Sequence, residues 1–562
     1  MPRRSRPEAD GVGPDVKRQE LERDGPADGR GDGGAGGRGE SEVDGQGGIG
    51  NDGREDINQE DKQRGTAGGG GHARIQDDEQ KGGRGDGEGD NSGDGQAVSS
   101  SSIALPRDMQ RTVRHVFAAG VHGCQQRAVF PRRVQRVHVL TNHGQLIICG
   151  ATNWDLVGRR EVPKNQVPFR NIGQNLWSPH RYSGLLRVPV SRVITGPCSA
   201  HNLLITTQGK VYSWGRGEKG QLGHGDTSRV EIPKPLEALQ EEVVVDGACG
   251  RSHTLCLTEE GMVFAFGENR LGQLGLGNQT DAVPSPTQIS YTGLPIVRVA
   301  CGAEFSMVLD CKGGLYSFGC PEYGQLGHNS DGRFVVRSQR TEFACGLAPR
   351  RIAFFLEKTR GGQVLPVSNV LVKDMACGAN HTLALDAHKR VFSWGFGGYG
   401  RLGHAEPRDE MVPRFVKALD RPGHGVARIC AGFSCSLAVL DSGSLYFWGS
   451  TNTARDATMY PKAVQELCGW RVRSLSCGKS SIVITADDST ISWGPWPTYG
   501  ELGYGEGRPR SSSVPQELKK LDGIYIQEVA MGFAHSLFLA RDETAEDREK
   551  IEKLPEYSPR PL

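Results

Sequence analysis

The chain has 562 residues, 24% of them charged and 36% hydrophobic, and its 79 glycines argue against a packed helical protein, while its length admits three or four ordinary domains. The formal charge of +1 hides an asymmetry: residues 1–100 carry 14 Lys plus Arg against 23 Asp plus Glu, a net −9, which leaves +10 on the remainder. No apolar run reaches the length of a membrane span and none follows the charged start at Met1 to Asp10, so neither membrane insertion nor a secretory signal is expected, and the compartment is predicted to be cytosolic or nuclear.

Residues 1–100 combine 27 glycines with acids and arginines and contain no Phe, Trp, Tyr or Cys. Such a composition cannot offset the entropy of ordering, so a disordered tail is expected. Residues 101–140 hold Arg107, Arg111, Arg114, Arg127, Arg132, Arg133 and Arg136, which read as a solvated basic linker and not as a nucleic-acid or localisation patch. The 14 cysteines are scattered singly, without a CxxC pair, and Cys249, Cys301, Cys377 and Cys477 each stand directly before a glycine. Buried free thiols are expected in place of disulfides or zinc.

From Thr141 onward the chain repeats itself. A short alternating strand ending in glycine recurs seven times: GQLIICG to Gly150, GKVYSWG to Gly215, GMVFAFG to Gly267, GGLYSFG to Gly319, KRVFSWG to Gly395, GSLYFWG to Gly449 and STISWG to Gly494. A second, more apolar strand follows a glycine or small residue and also recurs seven times, with key positions His201, His253, Phe305, His381, Cys435, Ser481 and His535. These are spaced by 52, 52, 76, 54, 46 and 54 residues. A period near fifty, built of short strands bounded by Gly and Pro, predicts an all-β, seven-bladed propeller over 141–540, with a charged extension over 541–562. The chain enters on a glycine-ended strand and leaves on an apolar one, so one blade is predicted to be built from both ends. Pairing of the N- and C-terminal strands then closes the ring and removes its open edges, and a monomer is expected.

Between the two strands lies a third element: GQLGHG at Gly220 to Gly225, GQLGLG at Gly272 to Gly277, GQLGH at Gly324 to His328, GRLGH at Gly400 to His404 and GELGYG at Gly500 to Gly505. Its glycines read as architectural, serving tight turns and close chain approaches. The slots after Gly150 and Gly449 read NWDLVG and NTARDA instead. GRGEKG (Gly215 to Gly220) and GFGGYG (Gly395 to Gly400) match a dinucleotide fingerprint, but each runs into a leucine-glycine turn where a helix is required. Gly478, Lys479 and Ser480 lack the glycine a phosphate loop needs five residues before Gly478, where Arg473 stands. His201, His253, His381 and His535 occupy one repeat position in different blades, which favours buried histidines bonded to backbone over a metal ring. With no HExxH, GxSxG elbow or unexplained carboxylate pair, neither covalent catalysis nor a cofactor or metal is expected.

The informative irregularity is the 76-residue interval, some 24 residues longer than its neighbours and lying within Asn329 to Lys373. In it, RRIAFFLEKTRGGQVLPV reads as an apolar strand Ile352 to Leu356, a basic glycine turn and a second strand, a hairpin projecting from one face. Lys358, Thr359, Arg360, Gly361, Gly362, Gln363, Val364 and Leu365 form the candidate contact, with Lys358 and Arg360 offered to an acidic partner surface; a plain solvated loop tip is the alternative.

The glycine-ended strands, the LG turns and the fifty-residue period together resemble the regulator-of-chromosome-condensation repeat family, seven-bladed propellers with about fifty residues per blade. The resemblance covers roughly residues 144–562, including the ending KLPEYSPRPL, and the first 140 residues depart from it. It implies a regulator of small GTPases, of Rac and Ral type, acting in mitosis, chromosome segregation, centromere and spindle organisation and cell migration. It also implies a location in the nucleus or nucleolus, on centromeric chromosome, spindle and midbody, and in cytoplasm or cytoskeleton. The +10 body keeps open a chromatin- or microtubule-associated scaffold without GTPase activity, and a propeller enzyme such as a lyase is the third reading.

Overall fold

The computed structural model describes residues 143–559, apart from 160–172, 186–187, 337–339, 360, 421–422, 452–456 and 497–498. The expected tail and basic linker lie outside the described residues, as do Arg360 and most of NTARDA. What is described is almost entirely β-structure. One antiparallel order of four strands recurs, as in Val190–Ile194, His201–Thr206, Val211–Gly215 and Val230–Pro235.

The second strand of each group is sandwiched between neighbouring sheets, which explains its continuous apolar run. All six residues of His201–Thr206, His253–Thr258, Phe305–Asp310, His381–Asp386 and Cys435–Leu440 are buried. First strands touch in chain order, and the last of them, Ile526–Met531, packs back against Val190–Ile194. Strand His535–Arg541 pairs antiparallel with Gly144–Ala151 along its whole length, and Asn175–Tyr182 pairs on the far side. The segment after Arg541 is held down despite its charge. Helix Ala545–Glu552 begins with a capping box between Thr544 and Asp547, buries Ile551, and leads to Glu556–Tyr557, which lies parallel to Asn175–Tyr182.

Two sets of contacts tie one sheet to the next. At the key positions His201 Nε2 lies 2.8 Å from Thr254 Oγ1, His253 Nε2 3.0 Å from Ser306 Oγ, and His381 Nε2 2.9 Å from Ser436 Oγ. His535 Nε2 then lies 2.5 Å from Asn202 Oδ1, bringing the series back to its start. The expected backbone partners are thus joined by a side chain of the following four-strand group, because each ring points across to it. Burial pushes these imidazoles down, His201 and His535 to about 3 and His253 to about 4, so they are neutral. Three residues before His253 the ring leaves no room for a side chain, since a Cβ on Gly250 would stand 2.1 Å from His253 Cε1 and 2.7 Å from Gly302 O, whereas before His201 that place is held by Cys198.

The second set is ionic. A register shift near the start of each first strand sets off Arg192, Asp246, Arg298, Asp374, Arg428 and Glu528. Arg192 bonds Asp246 at 2.6 Å and Glu528 at 3.3 Å, and Arg298 bridges Asp246 at 3.6 Å and Asp374 at 3.7 Å. Arg428 Nη1 donates to Arg473 O at 2.5 Å, and Val529 N donates to Ser474 Oγ at 3.1 Å. Cations and anions therefore alternate around the first strands, interrupted by the neutral Ser474.

The LG turns are equally regular. Ser213 Oγ donates to Leu222 O and lies 2.9 Å from His224 Nε2, and Ser317 with His328 and Ser393 with His404 repeat the arrangement. Neither GxGxxG stretch leads into an α-helix. The divergent NWDLVG slot is clamped instead by Arg216, which donates to Trp154 O, Asp155 O and Val157 O, and by Arg229, which pairs with Asp155 and Glu231. The thirteen described cysteines are free thiols, nine of them buried.

Candidate functional site

The described residues of the insertion form two hairpins. In the first, Arg333–Val335 pairs with Thr341–Phe343, Phe334 facing Glu342, in a two-stranded sheet of its own. Val335 is 69% exposed and Phe334 44%. Arg333 pairs with Asp331 and stands 6.0 Å from the Phe343 ring. This hairpin was not anticipated, although RFVV and TEF separated by RSQR carry the alternation of strands around a polar turn.

The second hairpin holds the predicted contact residues. Leu356–Lys358 pairs antiparallel with Val364–Pro366, Lys358 opposite Val364. Thr359 N donates to Gln363 O at 2.9 Å and Gly362 N to Thr359 O at 2.9 Å, so a tight turn spans the tip. Gly362 sits there at φ +79°, the left-handed region that favours glycine. Gly361, Gly362, Gln363 and Leu365 are exposed, and Thr359 and Val364 are half-buried.

Two details differ from the sequence reading. The apolar strand expected over Ile352 to Leu356 does not form: Ile352 to Phe355 lie in no strand but link Gly346–Arg351, the outer strand of the preceding sheet, to Leu356–Lys358, and Ile352 N donates back to Leu315 O at 2.8 Å. Nor does the hairpin project freely. Leu356 is buried and lies parallel to Arg414, which lays the hairpin along the edge of the next sheet.

Lys358 is consequently not a free charge. Its Nζ lies 2.7 Å from Oε1 of Glu410, a carboxylate 1% exposed, and the same oxygen is 2.7 Å from Arg414 Nη1. Arg414 also bonds Glu406 at 2.5 Å. Although burial raises the Glu406 carboxyl, the Arg414 hydrogen bond and the charges of Arg414, Lys358 and Arg408 hold it below its ordinary value. Burial, then the Arg414 charge, keeps the neighbouring His404 well below its usual value and neutral. Lys358 therefore anchors the hairpin, leaving Thr359, Gly361, Gly362, Gln363, Val364 and Leu365 as its described accessible part. Its partner Glu410 was invisible in the sequence because it arrives from a strand some fifty residues away.

Among the described residues no group of three or more His, Cys, Asp or Glu is arranged to hold a metal ion, and no helix is long and apolar enough to cross a membrane.

The family model described as RCC1-like domain matches residues 185–538. Over 419 residues the chain is 68% identical to Protein RCC2 of Homo sapiens, covering 75% of this chain and 80% of that one. It is also 68% identical over 419 residues to Protein RCC2 homolog of Danio rerio, covering 75% and 85%. Among solved structures, that of Prp20p from Saccharomyces cerevisiae, described with its binding properties to Gsp1p and histones, aligns at a TM-score of 0.58 and 20% identity, covering 74% of this chain and 95% of that one. On the family match and the identity to these relatives, the chain belongs to the RCC1-like domain family.

Proposed function

We propose that this chain regulates small GTPases, of Rac and Ral type, by promoting nucleotide release or by sequestering the GTPase, with the insertion at 329–373 as the main contact. The observation that carries this reading is the insertion's departure from the repeat around it: two described hairpins added to the four-strand groups present Phe334, Val335 and Leu365 to solvent, with Val335, at 69%, the most exposed large hydrophobic side chain among the described residues. The resemblance to Protein RCC2 and the binding of Prp20p to Gsp1p and histones support it. Exchange needs no bond chemistry from the exchanger. A surface that binds the nucleotide-free GTPase more tightly than the loaded form shifts the population by that difference in affinity.

Supporting a rigid platform, the four-strand groups read as seven blades of a propeller over 141–540, closed by the pairing of Gly144–Ala151 with His535–Arg541. The same reading places the protein in mitosis, at centromere and spindle, in the nucleus and the cytoskeleton, working as a monomer. A scaffold on chromatin is the second reading, favoured by the +10 of residues 101–562. Binding to phosphates would fall steeply with added salt, whereas a docked hairpin loses far less.

The test is nucleotide release from purified Rac-, Ral-, Arf- and Ran-type GTPases with and without the full chain, alongside binding. Arg360→Ala with Leu365→Ala, and separately Phe334→Ala with Val335→Ala, are the informative variants. Lys358→Ala would disturb the buried Glu410 and is avoided. Accelerated release lost in a hairpin variant makes the chain an exchange factor, and binding without release makes it a sequestering regulator. Absence of binding to all four classes, with salt-sensitive nucleosome binding, moves the scaffold ahead.

A further inference from the structure

The outer edges of the sheets are where this chain adds strands to itself. Twice a short strand lies parallel to an outermost strand, just beyond the proline of that strand. Leu356–Lys358 joins Glu410–Phe415 with Leu356 opposite Arg414, and Glu556–Tyr557 joins Asn175–Tyr182 with Glu556 opposite Arg181. Each guest buries one apolar side chain, Leu356 at 3% and Tyr557 at 4% exposure. Each also sets a glutamate against a base, Glu357 3.3 Å from Lys417 and Glu556 3.4 Å from Arg181. The same chemistry is used both times: main-chain pairing, one apolar anchor and one carboxylate.

The other outermost strands differ in their capacity for such a guest. Successive N–H groups of a strand face opposite sides. Val464 N donates inward to Leu445 O at 2.9 Å, so the N–H of Ala463, at the end of Thr458–Ala463, faces the outer edge. The matching residue of Val230–Pro235 is Pro235, which has no N–H. In Ser512–Glu517 it is Glu517, whose charge opposes an acidic guest. Thr280–Gln288 carries Pro284 and Pro286, and Gly346–Arg351 ends in two arginines without a large exposed apolar side chain. Thr458–Ala463 joins its outward donor to an aromatic ring 48% exposed, Tyr460, and to an exposed cation, Lys462, whose Nζ lies 5.4 Å from that ring.

We propose that the outer edge of Thr458–Ala463 is a docking site for an extended segment of a partner protein, added in parallel and carrying a glutamate beside a leucine or tyrosine. The glutamate answers Lys462, the apolar residue covers Tyr460, and the partner backbone takes the Ala463 N–H. The strand belongs to a different sheet from the insertion's hairpins, so the proposal does not rest on GTPase binding through them.

The probe is the fluorescein-labelled peptide LPEYSP, the sequence of residues 554–559, titrated into the full chain by fluorescence polarisation. Ala463→Pro copies the closed edge of Val230–Pro235 and is expected to weaken binding about tenfold or more; Lys462→Glu is expected to do likewise. Gln516→Ala, on the neighbouring outer strand, leaves the affinity unchanged. Equal binding by wild type and both edge variants overturns the proposal, as does no binding up to about 1 mM peptide. Self-association of the wild type that Ala463→Pro abolishes also overturns it, because the occupant would then be a second copy. Where Ala463→Pro fails to fold by circular dichroism, Lys462→Glu and Tyr460→Ala decide the question.

Discussion

The repeating sheets and the insertion at 329–373 are built from similar short strands, yet neighbours fix almost every side chain in one and few in the other. In the repeat, second strands are buried on both faces, histidines bond across sheet boundaries, and a Cβ on Gly250 would collide with a ring and a carbonyl. In the insertion, Val335 is 69% exposed, and a Cβ on Gly362 would meet nothing within 4 Å. The comparison teaches that the repeat is a platform whose residues serve one another, while the insertion keeps surface available for a partner.

The sharpest way to break this comparison is to substitute matching residue types in the two regions. Gly250→Ala is expected to destabilise by about 3 kcal/mol or more, because both the His253 ring and the Gly302 carbonyl must move. Gly362→Ala carries only the strain of its positive φ, about 1 kcal/mol. Chemical unfolding of the full-length variants measures both, and equal losses would end the distinction. Next in size is Asp246→Ala. It leaves Arg192 and Arg298 facing each other across a carboxylate site 7% exposed, with an expected loss of about 2 kcal/mol in the same measurement. A neutral outcome would mean that the alternating charges only decorate the first strands.

How much of this was legible follows from the same contrast. The LG turns and key histidines could be read because several repeats reuse the same contacts, so His224, His328 and His404 each recur beside a serine eleven residues earlier. The charge ring hid for a physical reason: its members meet only across sheets. Asp246, Arg298, Asp374, Arg428 and Glu528 each stand seven residues before their key position, but they change sign from one repeat to the next, which defeats a search for like residues. In the insertion, length alone marked the site. Its second hairpin could be read from strand–turn–strand patterning, whereas the tethering of Lys358 depended on Glu410, a partner no local pattern supplies. The densely charged composition after Arg541 likewise concealed Ile551 and Tyr557, which hold that segment down.

Acid sharpens the comparison further. His253 has a folded-state value of about 4, lowered by burial from 6.5, so the unfolded chain takes up its proton first as pH falls. Its contribution is present above pH 6.5 and is lost progressively down to about pH 4. The buried Glu231 acts in the opposite sense: burial raises it to about 7, so its protonation favours the fold as pH falls from there. The clean measurement is therefore a difference. His253→Asn should flatten the pH dependence of unfolding between pH 6 and 4.5 by about 1.4 kcal/mol per pH unit, and an unchanged slope would show that the ring is already accessible to protons.

The smallest expected effect bears most directly on function. Phe334→Ala with Val335→Ala removes exposed apolar surface from a hairpin that forms a two-stranded sheet of its own, so stability should change by less than about 0.5 kcal/mol. Side chains left at 44% and 69% exposure contribute little to folding and most of their area to a partner that covers them. The pair should therefore weaken GTPase binding while leaving the unfolding curve in place. A variant that unfolds early would instead show that these residues brace the first hairpin against the sheets, and the accessible contact would then reduce to the tip from Thr359 to Leu365.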